Sequence, residues 1–323
     1  MITATRLRHP NTSGHDEAYL HDDAALLNGG TTTKRGKSRA SIELIEACHE
    51  ILAEIQPASV RAVCYRLFVS GRIENMSKGN TNRVSTQLVY AREHGFIPWG
   101  WIVDETRAAE RISQWREPDE IIDAAVKGYR RDAWQDQPCV VEVWSEKGTI
   151  RGTLAPVLDE FGVTFRVMHG YGSATTIQGI AEQSMRSEKP VTALYVGDFD
   201  PSGLHMSEAD LPERLERYGG VVALRRIALT APDVHHGDLP HFDAATKTND
   251  PRHKWFTRKY GALCWELDAM SPVDLRERVA GEIAKMLDAD TWAHAKTVEA
   301  AQVESLQDFH QQWKVITSGQ GRQ

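Results

Sequence analysis

Three carboxylates stand at places where a chain of alternating strands and helices puts its chemistry. Asp198 and Asp200 lie in Gly197-Asp198-Phe199-Asp200-Pro201-Ser202-Gly203, and Glu146 lies upstream in Ser145-Glu146-Lys147-Gly148. Each group follows a β-branched run, Val140-Val141-Glu142-Val143-Trp144 or Val191-Thr192-Ala193-Leu194-Tyr195-Val196, and each precedes a helical pattern. Such positions are the carboxyl ends of parallel strands. Asp198 and Asp200 are alternate residues of an extended segment, so their side chains lean the same way. With Glu146 they make an all-oxygen cluster of like charge, which a hard cation such as Mg²⁺ or Mn²⁺ would relieve. Glu142 shares strand parity with Glu146 but falls inside the strand, so Glu146 is the candidate ligand.

A second candidate is the phenol of Tyr65, in Val60-Arg61-Ala62-Val63-Cys64-Tyr65-Arg66-Leu67-Phe68. At helical spacing Val60, Val63, Cys64 and Leu67 form one apolar face, with Phe68 at its edge. Tyr65 lies off that face, one turn beyond Arg61. A phenol titrates near ~10, so it needs a neighbouring cation to become a nucleophile, and Arg61 is placed to be one.

The strand, carboxylate, helix order resembles the TOPRIM domain of topoisomerases and primases, with one Glu after the first strand and Asp-x-Asp after the third. The likeness is strongest to the topoisomerase VI A-subunit family, which includes the meiotic double-strand-break transesterases. Glu146-Lys147 matches the family's Glu-Lys pair, and Asp198, Asp200, Pro201 and Gly203 match its acidic pair before a Pro-x-Gly turn. Val60, Arg61 and Tyr65 match the Val-Arg-x-x-x-Tyr pattern of the family's nucleophile, with Cys64 where an aromatic residue often stands. The resemblance spans roughly residues 40–290. It implies metal held by Glu146, Asp198 and Asp200, a nucleophilic Tyr65 assisted by Arg61, and Lys147 available to a phosphate. It also implies a two-fold dimer in which one subunit's Tyr meets the other's metal site. The glycine-rich ATPase motif of the family's B subunit has no counterpart here, so any ATPase would be a separate subunit.

The elements that must position these groups follow from pattern. The segment 1–37 is polar, with Asn28-Gly29-Gly30-Thr31-Thr32-Thr33 and a basic end, and reads as a flexible arm. Its His9, His15 and His21 are too loosely spaced for a metal site. From Ser41 to Ile55 an apolar stripe of Ile42, Ile45, Leu52 and Ile55 predicts a helix. Ser59 can cap a second helix to about Gly71, and Asn80-Thr81 can start a third, stopped by Gly95. With Phe96–Val103 as an extended, hairpin-like segment, residues 38–107 read as a winged helix-turn-helix domain. Residues 108–138 are a connector. Strands near 140–144, 164–168, 191–197 and 221–228 alternate with helices near 150–161, 174–185 and 204–218. This predicts an α/β domain over 139–290 with a Rossmann-like parallel sheet covered on both faces. Ser271-Pro272-Val273-Asp274 should open a helix running to about Leu287, and 291–323 is a helical tail. His235, His236 and His241 read as surface histidines. Cys264–Met270 resembles the C-terminal segment of TOPRIM proteins and has no assigned role.

Bulk composition narrows the classes. The 323 residues suggest about two domains, and no apolar run approaches the ~20 residues of a membrane helix. Four scattered cysteines without a Cys-x-x-Cys pair argue against a zinc ribbon or disulfide framework and for a reducing cytoplasm. The net charge is -7, yet from Ala58 to Arg92 six basic residues face one acid. In the third helix Val84, Leu88 and Ala91 should face inward, leaving Arg83, Thr86, Tyr90 and Arg92, with Arg66 nearby, to meet double-stranded DNA. Such contacts would be mostly to phosphate and salt-sensitive. The expected function is a metal-dependent DNA transesterase of the nucleoid. The alternatives are a hydrolytic TOPRIM nuclease in which Tyr65 only packs, and a DNA-binding subunit without catalysis.

Overall fold

The computed structural model describes residues 37–103, 114–168, 172–236 and 238–320. Most of the proposed N-terminal arm and part of the connector lie outside the described residues. The N-terminal helices are α1 (Arg39–Ile55), α2 (Val60–Val69) and α3 (Lys78–Glu93), with a two-residue strand β1 (Ala58–Ser59) leading into α2. Leu52, Val63, Leu67, Val84 and Leu88 are buried in one cluster that unites the three helices. Ser59 caps α2 by accepting from Ala62 N–H at 3.0 Å, and Gly95 ends the turn after α3 with φ +76°.

The hairpin-like reading of 96–103 is not what forms. Trp99–Trp101 make a 3-10 turn that starts at Pro98. Then β2 (Ile102–Val103) pairs in parallel with β1, Ala58 opposite Ile102 and Ser59 opposite Val103. The strand that β2 needs is thus supplied by the entry to α2 rather than by an adjacent hairpin arm.

After α4 (Pro118–Gly128) the chain enters the sheet: β3 (Val140–Ser145), α5 (Thr149–Phe161), β4 (Thr164–Val167), α6 (Ala174–Arg186), β5 (Val191–Val196), α7 (Pro201–His205), a π-helical turn (Met206–Asp210), α8 (Leu211–Arg217) and β6 (Val222–Ala228). The sheet order is β4-β3-β5-β6, with every pairing parallel. Alternation along the strands feeds two cores. Val141, Val143, Leu194 and Val196 face α5 and a later helix over Pro272–Ala284, whereas Trp144, Ala193 and Tyr195 face α6 and α8. Parallel strands with both faces covered read as near-continuous apolar runs, which is why these were legible.

Beyond the sheet come α9 (Ala231–His236), β7 (Phe242–Asp243), α10 (His253–Tyr260), β8 (Leu263–Cys264), α11 (Pro272–Ala284) and α12 (Ala289–Gln320). Strands β7 and β8 pair antiparallel. Ser271 precedes α11 without a side-chain cap bond, and that helix ends at Ala284, short of the expected Leu287.

Two contacts lock the helical part onto the α/β part. Arg276 on α11 donates to the carbonyls of Ile55, Gln56 and Pro57 at 3.2 Å and of Thr153 at 3.3 Å, satisfying carbonyls at the end of α1. Gly152 on α5 passes so close to β2 that a Cβ would sit 2.6 Å from Val103 Cβ. Gly152→Ala should therefore destabilise by about 1–3 kcal/mol, against the helix-propensity gain of up to ~1 kcal/mol. Urea denaturation checks it; a stabilised variant would mean the two parts do not press together there.

Candidate active site

The strand order reverses between β3 and β5, with α5 leaving β3 on one face and α8 following β5 on the other. At such a switch point the carboxyl ends of neighbouring strands open a crevice. Glu146 leaves the end of β3 and Gly197–Asp200 leaves the end of β5.

Phe199 fixes the second segment. Its N–H donates to the Trp265 carbonyl at 2.9 Å and its own carbonyl accepts from Trp265 N–H at 3.0 Å. The Phe199 ring is buried against Phe256, Tyr260 and Trp265, and Asp198 and Asp200 flank it. Asp200 caps α7, accepting from Gly203 N–H at 2.7 Å and the Ser202 hydroxyl at 3.1 Å. Gly203 is required there, since a Cβ would lie 2.4 Å from the Asp198 carbonyl oxygen. Behind this loop, Arg226 on β6 donates to the carbonyls of Gly197 at 3.0 Å, Asp198 at 3.2 Å and Gly203 at 2.5 Å. Its fan of donors suits several carbonyls at once.

The acids are met by cations from other segments. Lys147 Nζ lies 3.0 Å from Asp198 Oδ1 and 3.1 Å from Asp268 Oδ2. Lys247 pairs with Asp200 Oδ2. Arg61 forks onto Glu266, Nη2 to Oε1 at 2.5 Å and Nε to Oε2. Leu267 N–H donates to Asp198 Oδ1 at 2.8 Å, and the Ser59 hydroxyl bonds to Asp268 Oδ1 at 2.6 Å. The segment Trp265–Asp268 therefore holds the carboxylate loop on one side and the start of α2 on the other.

Tyr65 sits in this seam. It is only 4% exposed yet stands outside the apolar cluster that unites the helices. The Arg61 guanidinium lies 5.8 Å from its ring centre. Burial foremost pushes the phenol above its ordinary range; the negative charge of Glu266 adds to the rise while Arg61 opposes it. Burial also raises Cys64, up to about 11, so that thiol stays protonated and unreactive at neutral pH.

Glu146 is raised by burial and then by Asp200 and Asp198, so the three carboxylates share one electrostatic environment. Burial works against the charge on Lys147, but Asp198, Asp268 and Glu266 outweigh it and raise its pKa above an ordinary lysine's. The donor set is all oxygen, as Mg²⁺ and Mn²⁺ prefer. Among the described residues, however, no group of three His, Cys, Asp or Glu is gathered as ligands around a point. Glu142 is committed elsewhere: it is buried, paired with Arg166 at 2.6 and 2.8 Å, and accepts from Trp144 Nε1 at 2.7 Å.

The residues expected to meet DNA are spread over α3 and its neighbours. Val84, Leu88 and Ala91 are buried, and Arg83 and Thr86 are exposed. Tyr90 is stacked on His94 at 3.8 Å and covered by Lys37 at 3.9 Å. Arg92 lies 4.8 Å over the Trp99 ring, and Arg66 is half-buried. Arg83 and Thr86 are thus the members of the set that face outward.

Sequence reasoning left Glu266 and Asp268 without a role and did not single out Ser59, Lys247 or Arg226 for the site. The alternation of acids in Glu266-Leu267-Asp268 was the available signal; Lys247 stands in a polar loop that carries none. Compared with known proteins, the chain matches no protein-family model and no curated protein.

The Lys247–Asp200 pair has a consequence for pH. Burial alone would raise Asp200, but Lys247, Gly203 and Ser202 outweigh it and hold its carboxyl below the usual range. Its stabilising contribution is therefore present above the unfolded-state pKa of about 3.9 and is lost as pH falls through the folded value. Lys247→Met leaves burial dominant, so the Asp200 carboxyl should rise and the sign should reverse. The variant should lose about 3 kcal/mol at neutral pH and recover relative to wild type on acidification. Denaturation at several pH values, with carboxyl NMR of Asp200, reads both; an unmoved carboxyl would contradict the pairing.

Proposed function

We propose that this chain is a divalent-cation-dependent DNA-cleaving transesterase, in which Tyr65 attacks a backbone phosphorus and becomes linked to one DNA end. The observation that carries the reading is the Trp265–Asp268 segment, which touches Asp198 through Leu267 and Arg61 through Glu266. The helix that bears the phenol and its guanidinium is thereby tied to the acidic loop of its own chain, whereas the resemblance implies the loop of a partner chain. The reading assumes the winged-helix and TOPRIM arrangement that the motifs resemble.

Glu146, Asp198 and Asp200 would hold Mg²⁺ or Mn²⁺, which would supply positive charge at the reacting phosphate and the leaving oxygen. Arg61 is 45% exposed along its side chain; a phosphate would meet the guanidinium edge that Glu266 does not occupy, a group suited to such contacts. Lys147 offers an ammonium from the carboxylate side. Arg83 and Thr86 on α3, with Lys78 at its start, would meet the duplex backbone. A homodimer that pairs two nicks, a separate ATPase subunit and a place on the nucleoid belong to the same proposal. No helix among the described residues is long and apolar enough to cross a membrane.

The rival reading, a hydrolytic nuclease, draws on one observation: the Tyr65 phenol is buried and pushed up, so it is not ionised in the free protein. End-labelled duplex DNA incubated with the full chain and Mg²⁺, then run on a denaturing gel, separates the readings. The expected result is a protein-linked end that disappears in Tyr65→Phe and in Asp198→Ala, with both variants folded. Free ends that persist in Tyr65→Phe would establish hydrolysis instead, and intact DNA would leave a binding subunit. For the DNA surface, Arg83→Ala should weaken binding across unrelated sequences and reduce the salt slope by about 0.9. An unchanged slope would remove α3 from the interface.

A further inference from the structure

Between Ala244 and Trp265 the chain carries Lys247, Arg252, Lys254, Arg258 and Lys259 against a single acid, Asp250. In a chain of net charge -7 this run concentrates positive charge that the overall balance hides. It folds as the 3-10 turn Ala244–Lys247 and then α10, and it lies beside the acidic loop. Phe256 and Tyr260, one turn apart on α10, set their rings 6.2 and 5.4 Å from that of Phe199. From the turn, Lys247 reaches Asp200.

Three of these cations have acids of their own: Lys247 pairs with Asp200, Arg252 Nη1 with Asp250 at 3.1 Å, and Lys259 with Glu208 at 2.9 Å. Lys254 and Arg258 differ. Both are exposed, and among the described residues neither pairs with an acid. At helical spacing they lie on the side of α10 opposite Phe256 and Tyr260, so the packing that fixes the helix turns them outward. Four residues apart, their Cβ atoms stand about 5–6 Å from each other, a spacing at which like charges mildly destabilise a helix. The fold supplies no anion to relieve them.

We propose that Lys254 and Arg258 form a second phosphate-binding surface for duplex DNA, on the α/β part of the chain. This rests on the DNA reading above, though not on how a strand is cut. A phosphodiester backbone offers the anions that the fold withholds from these two side chains. Arg258 can take a phosphate through two N–H groups, while Lys254 acts as a point charge. Contacts of this kind position a duplex without reading its sequence. Because α3 belongs to the helical part, a duplex held by α3 alone would be gripped by one part of the chain. Cations on α10 grip it from the part that bears Asp198 and Asp200.

The test measures duplex binding by the full chain against salt concentration, for the wild type and two double variants. One is Lys254→Gln with Arg258→Gln. The control, Arg186→Gln with Arg217→Gln, removes the same charge from the ends of α6 and α8. Those positions precede the amino ends of β5 and β6, at the far end of the sheet from the acidic loop. All four residues are exposed and Gln is a good helix former, so circular dichroism should show both variants folded. The α10 variant should lower the salt slope by about 1.8, or about 0.9 for each phosphate. Its binding should weaken roughly 10–100-fold at about 0.1 M salt, on unrelated sequences alike. The control should keep the wild-type slope.

An α10 variant with wild-type slope and affinity overturns this surface and leaves the DNA reading intact. An equal loss in the control overturns it too, since net charge alone would then account for the change. A wild type that binds no duplex at low salt overturns both.

Discussion

Five carboxylates, Glu146, Asp198, Asp200, Glu266 and Asp268, are drawn to the carboxyl end of the sheet, where burial makes uncompensated negative charge expensive. The chain meets this constraint with cations from separate segments. Lys147 serves Asp198 and Asp268, Lys247 serves Asp200, and Arg61 serves Glu266. Because Arg61 belongs to α2, neutralising Glu266 also docks the helical part on the α/β part. The loop that bears Asp198 and Asp200 must be equally fixed, and Arg226 and the Phe199–Trp265 bridge fix it.

The electrostatics of the cluster are uneven in a way that bears on function. Asp200, with a dedicated ammonium and two local donors, is held below the usual range. Asp198 is raised, burial outweighing Lys147 and the Leu267 amide. Glu146 is raised as well, and Asp200 and Asp198 contribute to that rise. A divalent cation would act most on the two acids that the lysines leave least satisfied. Tyr65 belongs to the same gradient from the other side, its phenol kept neutral by burial and by the negative charge of Glu266.

The sheet was largely legible because its strands are continuous apolar runs ending in turn residues. Predicted strands at 140–144, 164–168 and 191–197 match β3, β4 and β5 to within a residue at each end. The three N-terminal helices were legible from their stripes, and Ser59 from its capping position. The segment 96–103 was misread because Trp, Ile and Val favour strands in general, while the partner strand lies far back at Ala58–Ser59. The helix expected from 204 starts at Pro201, since Asp200 supplies its cap. Glu266 and Asp268 could be noticed but not assigned, because their partners Arg61, Ser59 and Lys147 are distant in sequence. Lys247 was beyond reach for the same reason, with no periodic element around it.

The character of the seam bears on whether this arrangement serves packing alone. Tyr65 lies off the apolar stripe of α2, which closes the helical core without it. Its ring lies instead beside the Arg61 guanidinium, 5.8 Å from its centre, and Arg61 is itself forked onto Glu266. Two parts of a chain can be joined more stably by an apolar interface, since buried ion pairs give back much of their attraction in lost hydration. Here the docking surface instead gathers a phenol, a guanidinium, two ammonium groups and five carboxylates at the switch point of a parallel sheet. Gly152 and Arg276 already hold the two parts together at another place. The polar seam and this second contact therefore dock the helical part at two separate places, the one through charge and the other through close packing and carbonyl bonds.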